Sequence, residues 1–387
     1  MSLYLRPILR ILQRTHSKNF STVTKVKDEQ TSQVCSFRTI ENNPANHNMN
    51  HIGRLYTIPT DIQQQLFQYG GFPTKFITQA VTFQEYTIMV REPAVEIISF
   101  LAQADYTRPA NKYVLYGKLG VGKSITLCHV LHYAFLQKYI IVHVPWARYW
   151  FYRMKEVANS VLLPGCMDLP IDAGFWLKHF KAQNITLLSQ LDLKTSKDYI
   201  WNQREMTSQG TPILELIEFG MNRIKYSCGV VDALMKELKL ASTAGKCKTI
   251  VVIDGFNAFT SDFTKIYDDN KAVVPPNKVS LAIPFLDMTK DDWCNGAIVL
   301  STDKRATRIV REDSDLPRYL LGKEGFEHLD PFIPVLVDDY SPAEFDSIIE
   351  YYKERKWIRK ITPESQKELE IITNRNPLIL MAQCNFL

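Results

Sequence analysis

The sequence lacks the cysteine spacing of a disulfide-rich or zinc-binding protein. Its seven cysteines are odd in number, and no two of them stand at C-x-x-C spacing. This pattern argues against a disulfide framework or a zinc site and favours a reducing compartment. The sequence also lacks any apolar run near the 18 residues of a membrane span, which argues against an integral membrane protein. With 387 residues, 45% of them hydrophobic, the chain has room for one large domain or two.

Acidic residues are missing from the N-terminal segment, residues 1–25, and the first is Asp28. The basic residues of this segment are Arg6, Arg10, Arg14, Lys18 and Lys25. The three arginines recur every four residues beside leucines and isoleucines, and serines and threonines follow. This composition predicts a mitochondrial transit peptide over residues 1–25, and the alternative is a disordered basic tail.

An excess of positive charge is also missing once that segment is set aside. The whole chain carries 46 basic and 41 acidic residues, and without the five N-terminal cations the two signs balance. The remaining chain is therefore not a broadly basic nucleic-acid binder, and any RNA contact must be a local patch. One candidate patch interleaves aromatic and basic residues after position 350, a pattern that suits RNA but equally fits a solvated helix face. It consists of Tyr351, Tyr352, Lys353, Arg355, Lys356, Trp357, Arg359 and Lys360.

The most informative motif that is present is GKLGVGKS at residues 117–124, a complete phosphate-binding loop (P-loop). An apolar run at 113–116 predicts a strand before it, and residues 125–137 predict a helix after it. We expect Lys123 to reach the β- and γ-phosphates of a nucleotide and Ser124 to ligate Mg²⁺. The alternative is a chance match in a glycine-rich loop. The predicted nucleotide-binding residues are Gly117, Lys118, Leu119, Gly120, Val121, Gly122, Lys123, Ser124 and Ile125.

A second apolar strand, residues 248–254, ends in Asp254, which we expect to bind Mg²⁺ through water. The alternative is an aspartate that only ends the strand. Ring-shaped ATPases usually place a glutamate directly after this aspartate, but here the residue is Gly255. Asn257 cannot serve as a base either, so we expect slow hydrolysis, if any. The hydroxyls of Ser301 and Thr302 end another strand and are candidates for sensing a γ-phosphate.

The order of elements predicts an α/β fold with a parallel, doubly wound sheet. The predicted strands are 113–116, 139–144, 248–254, 296–301 and 334–337, and the predicted helices include 93–104, 125–137, one or two within 214–240, and 341–358. Residues 26–75 are polar and predict an extended or poorly ordered arm. The nucleotide-binding domain is expected over 76–340, with a mixed insertion at 146–210, and a helical C-terminal subdomain over 341–387.

Two further patterns carry weaker signals. His129 and His132 lie three residues apart on the predicted P-loop helix, a spacing that could hold a metal but more often serves packing. The guanine-reading motif N-K-x-D is incomplete at Asn277-Lys278-Val279-Ser280. The sequence therefore leaves the base of the nucleotide open.

Four segments together resemble one family. They are residues 114–130, 296–301, 320–337 and 340–358, and the LGKEGF…LDPFIP run within the third is the most specific. They are similar to the death-associated protein family of the mitochondrial small ribosomal subunit, from about residue 50 to the C-terminus. The resemblance implies an AAA+-like P-loop NTPase fold with a helical lid and bound GTP or GDP, although ATP stays open. It also implies contacts with small-subunit proteins, with rRNA and towards the large subunit, a place in the mitochondrial matrix, and links to apoptosis signalling.

Three functions remain in competition. The first is a structural protein of the mitochondrial ribosome with a bound guanine nucleotide that is hydrolysed slowly, if at all. The second is an AAA+-like regulatory ATPase acting outside the ribosome, including apoptosis signalling, which Gly255 and the lack of a clear arginine finger disfavour. The third is an RNA-binding protein with a vestigial nucleotide site, which the intact Lys123 and Ser124 disfavour.

Overall fold

The computed structural model describes residues 37–261, 263–307 and 314–384. The predicted transit peptide, residues 1–25, and the first part of the predicted arm lie outside these residues. The described strands are β1 (Leu55–Thr57), β2 (Thr87–Met89), β3 (Asn111–Tyr116), β4 (Ile140–Val144), β5 (Ala158–Asn159), β6 (Met167–Asp168), β7 (Tyr199–Ile200), β8 (Met206–Thr207), β9 (Thr249–Ile253), β10 (Gly296–Ser301) and β11 (Ile333–Leu336).

Helices connect these strands and form most of the C-terminal region. The described α-helices are α1 (Thr60–Phe67), α2 (Thr74–Phe83), α3 (Glu92–Gln103), α4 (Lys123–Leu136), α5 (Arg148–Tyr152), α6 (Pro170–Leu188), α7 (Ile213–Asn222), α8 (Ser227–Thr243), α9 (Ile283–Met288), α10 (Pro317–Leu329, broken at Gly322), α11 (Pro342–Glu354), α12 (Pro363–Thr373) and α13 (Pro377–Cys384). Among them, none combines the length and hydrophobicity needed to cross a membrane.

A five-stranded parallel sheet organises the fold, in the order β11-β3-β10-β9-β4. The predicted α/β class, the parallel sheet and all five predicted strands are confirmed. β10 lies between the P-loop strand β3 and the strand β9 that precedes Asp254. In a parallel sheet the carboxyl ends of these three strands meet at one edge, so the sheet order brings their following residues together.

Helices cover both faces of the sheet, because the side chains of each strand alternate between two apolar cores. Val251 and Ile253 of β9 belong to the core beneath α6, α7 and α8, whereas Ile250 and Val252 belong to the core beneath α3 and α4. All five residues of β9 are buried. This explains why the sheet strands read as continuous apolar runs.

The two edges of the sheet are protected in different ways. At β4, the Asn184 side chain of α6 accepts a hydrogen bond from the Ile141 N–H (2.7 Å) and donates one to the Ile141 carbonyl (2.9 Å). This amide occupies backbone groups that would otherwise template another strand. At β11, Pro334 removes a donor from a strand of only four residues.

Residues 37–75 are folded, so the predicted extended or poorly ordered arm is wrong for this part of the segment. Asn43 and Asn48 each cap a short 3₁₀ helix by accepting a backbone N–H, which explains why an asparagine-rich stretch is ordered here. β1 pairs with β2, and Tyr56 and Leu66 are fully buried. Tertiary burial of a few large side chains therefore outweighs the polar composition.

Three helices, α11 to α13, follow Ser341 and pack around an apolar cluster with Leu55, Phe83 and Met89. Ser341 begins α11 with a capping box, since its hydroxyl accepts the Glu344 N–H and the Glu344 carboxylate accepts the Ser341 N–H. We call residues 341–384 the C-terminal subdomain.

Candidate functional site

The P-loop runs from the end of β3 to the start of α4, as predicted. Gly117, Gly120 and Gly122 have φ values of 136°, 85° and 102°, which favour glycine. A Cβ atom on Gly117 would lie 2.1 Å from the Val337 carbonyl oxygen, so this turn requires glycine. Gly122 precedes α4, and no described side chain caps the helix. Its first N–H groups therefore suit an anion such as a phosphate.

Lys123 lies inside this loop, with a side chain only 5% exposed. Its ammonium donates to the carbonyl oxygens of Gly117 (2.7 Å) and Lys118 (2.8 Å), and it lies 3.4 Å from the Asp303 carboxylate. Burial lowers the pKa of Lys123, and Asp303 opposes this effect. The predicted phosphate ligand is thus in the loop and already faces one carboxylate.

Ser124 and Asp254, the predicted Mg²⁺ ligands, come together. The Ser124 hydroxyl donates to Asp254 Oδ2 at 2.5 Å, and the Ser301 hydroxyl donates to Asp254 Oδ1. Burial raises the pKa of Asp254 to about 6, although both hydroxyls lower it. A hydroxyl and a carboxylate at this separation form an all-oxygen donor set of the kind that Mg²⁺ takes, so the residues fit the ion.

The hydroxyls proposed to sense a γ-phosphate are engaged elsewhere. Ser301 bonds Asp254 and accepts the Gly255 N–H (2.9 Å), while the buried Thr302 hydroxyl donates to the Leu115 carbonyl (3.3 Å). Asp303, the next residue, is the one that reaches Lys123. The sequence signal for Asp303 is the one that identified Asp254, a carboxylate after an apolar strand. Asp303 lies one residue beyond Thr302, the last residue named there.

Gly255, which stands where ring-shaped ATPases carry a glutamate, has no room for a side chain. Its φ is 73°, and a Cβ atom would lie 2.8 Å from the Trp146 ring and 3.3 Å from Ala306. The Arg305 guanidinium lies 5.7 Å from the centre of the Trp146 ring. An indole therefore occupies the space next to Asp254, where it cannot act as a base.

The tip of the P-loop is bonded to the C-terminal subdomain. Asn376 donates to the Leu119 carbonyl (3.0 Å), and the Leu378 N–H donates to the Gly120 carbonyl (3.2 Å). Lys118 pairs with Asp339 at 2.9 Å, just before α11. The other predicted loop residues differ in exposure: Leu119 is exposed, Val121 is buried and Ile125 is partly buried in the core beneath α3 and α4.

Arg91, which the sequence analysis missed, connects the loop to α11. Its guanidinium donates to the Val121 carbonyl (2.7 Å), to the carbonyls of residues 338 and 339, and to the Glu344 carboxylate (3.0 Å). Both side chains of the Arg91–Glu344 pair are buried. A residue that precedes a helix by one position gives no sequence signal for contacts this distant.

In the candidate RNA patch the tyrosines are buried, and Lys353 and Arg355 are paired with carboxylates. Tyr351 and Tyr352 are buried in the cluster of the C-terminal subdomain, so their rings cannot stack on bases. Arg355 pairs with Glu85 at 2.5 Å. Helical periodicity explains the correction, since Tyr351 and Tyr352 continue the buried stripe of Phe345, Ile348 and Ile349 on α11.

His129 and His132 are both buried on α4. His129 contacts His47 (2.8 Å between ring nitrogens), and His132 lies 3.3 Å from the Tyr56 hydroxyl. Among the residues that the structure describes, no group of three or more His, Cys, Asp or Glu side chains could hold a metal ion. The two histidines thus contact His47 and Tyr56, which attaches this part of the chain to α4.

Comparison with known proteins gives one family. The family model for the mitochondrial ribosomal death-associated protein 3 matches residues 88–383. The small ribosomal subunit protein mS29 of Bos taurus is 38% identical over 366 residues, which cover 94% of this chain and 91% of that protein. The Mus musculus protein of the same name is 37% identical over 350 residues, with 90% and 88% covered.

Among solved structures, a Walker-type ATPase of Pyrococcus abyssi is similar with a TM-score of 0.35 and 14% identity, over 76% of this chain and 65% of that one. Since the family model spans most of the sequence and two relatives match nearly end to end, the chain belongs to the mitochondrial ribosomal death-associated protein 3 family.

Proposed function

We propose that this chain is a structural component of the mitochondrial small ribosomal subunit that binds a guanine nucleotide and hydrolyses it slowly, if at all. Membership of the family supports the ribosomal role, because the relatives are named small ribosomal subunit proteins. On this proposal the protein acts in the mitochondrial matrix, bound to small-subunit proteins and rRNA, with contacts towards the large subunit.

The proposal that the chain binds a nucleotide rests on the contacts of the P-loop with the C-terminal subdomain. On one side the start of α4, which no described side chain caps, leaves N–H groups that would suit a phosphate, and on the other side the loop carbonyls accept hydrogen bonds from the C-terminal subdomain. A nucleotide held by Gly117, Gly122 and Lys123 would therefore stabilise the contact between the sheet and the subdomain. Stability would rise with nucleotide concentration over Kd by mass action.

Ser124 and Asp254 would hold Mg²⁺, which when bound neutralises part of the charge on the phosphates. The protein's own contribution is to orient the Asp254 carboxylate through Ser301 and to leave no room for a glutamate directly after it. Because Trp146 leaves no room for a glutamate at Gly255, directly after Asp254, that position lacks a general base, which typically contributes about 10²–10⁴-fold to rate.

Lys123→Ala tests nucleotide binding. Loss of a desolvated ammonium opposite phosphate should weaken binding by roughly 3–5 kcal/mol, by analogy with broken buried ion pairs. Lys118→Ala is the matched control, since the half-exposed ammonium of Lys118 pairs with Asp339 and the alanine keeps the backbone N–H that the loop would offer to phosphate. We expect purified wild type and Lys118→Ala to retain nucleotide, Asp254→Asn to retain part of it, and Lys123→Ala to lose it. Equal occupancy in all four proteins would refute the assignment.

Sedimentation tests the ribosomal role against the second candidate, a regulatory ATPase outside the ribosome. The endogenous protein should migrate with the small subunit on a sucrose gradient. A free hexamer that turns over nucleotide near 10 s⁻¹, about the median of ordinary enzymes, would favour the ATPase. If Lys123→Ala and Asp254→Asn also assemble into the subunit as well as wild type, the nucleotide has no part in assembly.

A further inference from the structure

Asp303 is held in a fixed position beside the P-loop. It follows β10 by two residues, and its side chain is 6% exposed. The fully buried Asn257 amide donates to the Asp303 carbonyl (3.0 Å) and accepts the Asp303 N–H (3.1 Å). The Asp303 carboxylate also caps the short 3₁₀ helix at 304–306 by accepting the Arg305 N–H (2.8 Å). Its backbone and its carboxylate are therefore both positioned.

Lys123 has no donor to spare in this arrangement. An ammonium carries three N–H donors, and here they meet the Gly117 carbonyl, the Lys118 carbonyl and the Asp303 carboxylate. In a P-loop this ammonium binds the β- and γ-phosphates. The terminal phosphate of a triphosphate and the Asp303 carboxylate would consequently compete for one cation.

The carboxylate of Asp303 is also expected to stay ionised. Burial works against its ionisation, but Lys123 and then Arg305 lower the pKa of Asp303 below its usual value. Arg305 Nε lies 3.2 Å from the Asp303 carboxylate. A third phosphate would bring a further negative charge against this buried carboxylate, in addition to Asp254.

We propose that Asp303 makes the P-loop site selective for nucleoside diphosphates over triphosphates, with its carboxylate taking the place of a third phosphate on Lys123. This inference rests on the proposed function, that residues 117–124 bind a nucleotide. The β-phosphate of a diphosphate is held by the loop amides and replaces a loop carbonyl on Lys123, so the Lys123–Asp303 pair stays intact. A triphosphate must break or crowd that pair.

Titration calorimetry on the full chain, with GDP, GTP, ADP and ATP in excess Mg²⁺, tests the proposal. Two like charges a few ångströms apart near a protein surface predict a preference for diphosphate of about tenfold or more. Asp303→Asn keeps the size of the side chain and a residue type suited to the cap, but removes the charge. We expect it to tighten triphosphate binding and to reduce the preference by about tenfold.

Two control variants test whether the preference depends on a negative charge at position 303 itself, and melting temperatures test whether the variants are folded. Asp338→Asn removes an exposed carboxylate 4.0 Å from the ammonium of Lys118 and should leave the preference unchanged. Asp303→Glu keeps the charge and should keep a preference for diphosphate. Melting temperatures of the variants, measured without nucleotide, verify that each is folded.

The outcomes are distinguishable. Wild type that binds triphosphates as tightly as diphosphates, or Asp303→Asn with an unchanged preference, would overturn the role of Asp303 and leave the proposed nucleotide binding intact. Absence of binding of all four nucleotides to the wild type would overturn both. A preference that collapses in Asp303→Asn but persists in Asp303→Glu and Asp338→Asn supports the proposal.

Discussion

Replacing Arg91 should weaken the contact between the P-loop and the C-terminal subdomain and destabilise the chain. The Arg91 and Glu344 side chains are 11% and 7% exposed, with Nε and Oε1 3.0 Å apart. Arg91→Met leaves a buried carboxylate without its cation and leaves the Val121 carbonyl without this donor. Breaking one partner of a buried pair costs about 3–5 kcal/mol, and we expect a loss in this range.

The assay is thermal and urea denaturation of the purified chain. At about 2 °C per kcal/mol, the lower end for large domains, the melting temperature of Arg91→Met should fall by roughly 6–10 °C. Lys118→Met is the matched control, because it breaks the Lys118–Asp339 pair in the same loop while the lysine is 57% exposed. The Asp339 side chain is only 11% exposed, but it keeps the hydrogen bond from the Asn376 amide (2.8 Å), and its lost cation is solvent-exposed. The shift for Lys118→Met should therefore be smaller than that for Arg91→Met.

A double-mutant cycle distinguishes an unpaired buried charge from lost packing. Glu344→Gln removes the charge but retains an acceptor for the Ser341 N–H, so the capping box at α11 is preserved. Arg91→Met combined with Glu344→Gln should be less destabilised than the sum of the two single variants, since no buried charge is left alone. Additive effects, or a shift for Arg91→Met no larger than that for Lys118→Met, would contradict the reasoning.

Four further outcomes are expected. Gly120→Ala should destabilise the chain by about 1–3 kcal/mol in urea unfolding, because φ is 85° and the new Cβ would lie 2.7 Å from side-chain atoms of Asn376 and Leu378. Gly255→Glu should not create fast hydrolysis in a phosphate-release assay, because Trp146 fills that space; rapid turnover would contradict this. Burial lowers the pKa of His132 from 6.5 to about 4. The folded state therefore favours neutral His132, and the resulting stability is complete above pH 6.5. This stability falls as the pH drops towards 4, by roughly 3 kcal/mol at the limit. Acid unfolding curves of wild type and His132→Gln should therefore converge as pH falls. Residues 1–25 fused to a reporter should direct it to the mitochondrial matrix, and a cytosolic reporter would refute the predicted transit peptide.

The sequence was sufficient for the features that depend on local pattern. Continuous apolar runs predicted the five strands because both faces of a parallel sheet are buried. The pairing of Ser124 with Asp254, 130 residues apart, followed from the rule that ligands gather at the carboxyl ends of parallel strands. Both inferences rest on regularities that hold whatever the tertiary detail.

Contacts between segments far apart in the sequence could not be predicted from local sequence pattern. Arg91 and Glu344 are 253 residues apart, and neither position differs in pattern from an ordinary charged residue at a helix start. Tyr351 resembled an RNA-stacking residue because its sequence neighbours are basic, yet its ring packs against Phe83, 5.4 Å between centroids. Which face of a helix finds a partner is decided by tertiary packing, which composition does not encode.

The bonding of the P-loop also bears on whether a nucleotide could act as a switch. Moving the C-terminal subdomain off the loop would break hydrogen bonds to Leu119 and Gly120 and the buried pair made by Arg91. Even a full reversal of a two-state equilibrium from 1:99 to 99:1 requires about 10⁴-fold tighter binding to one state, roughly 5.5 kcal/mol. The broken contacts alone are of comparable size, at about 1 kcal/mol for each hydrogen bond and 3–5 for the pair. A ligand whose phosphates contact the same loop in both states gains little of that difference. The energetics therefore favour a nucleotide that holds the two parts together over one that drives them apart.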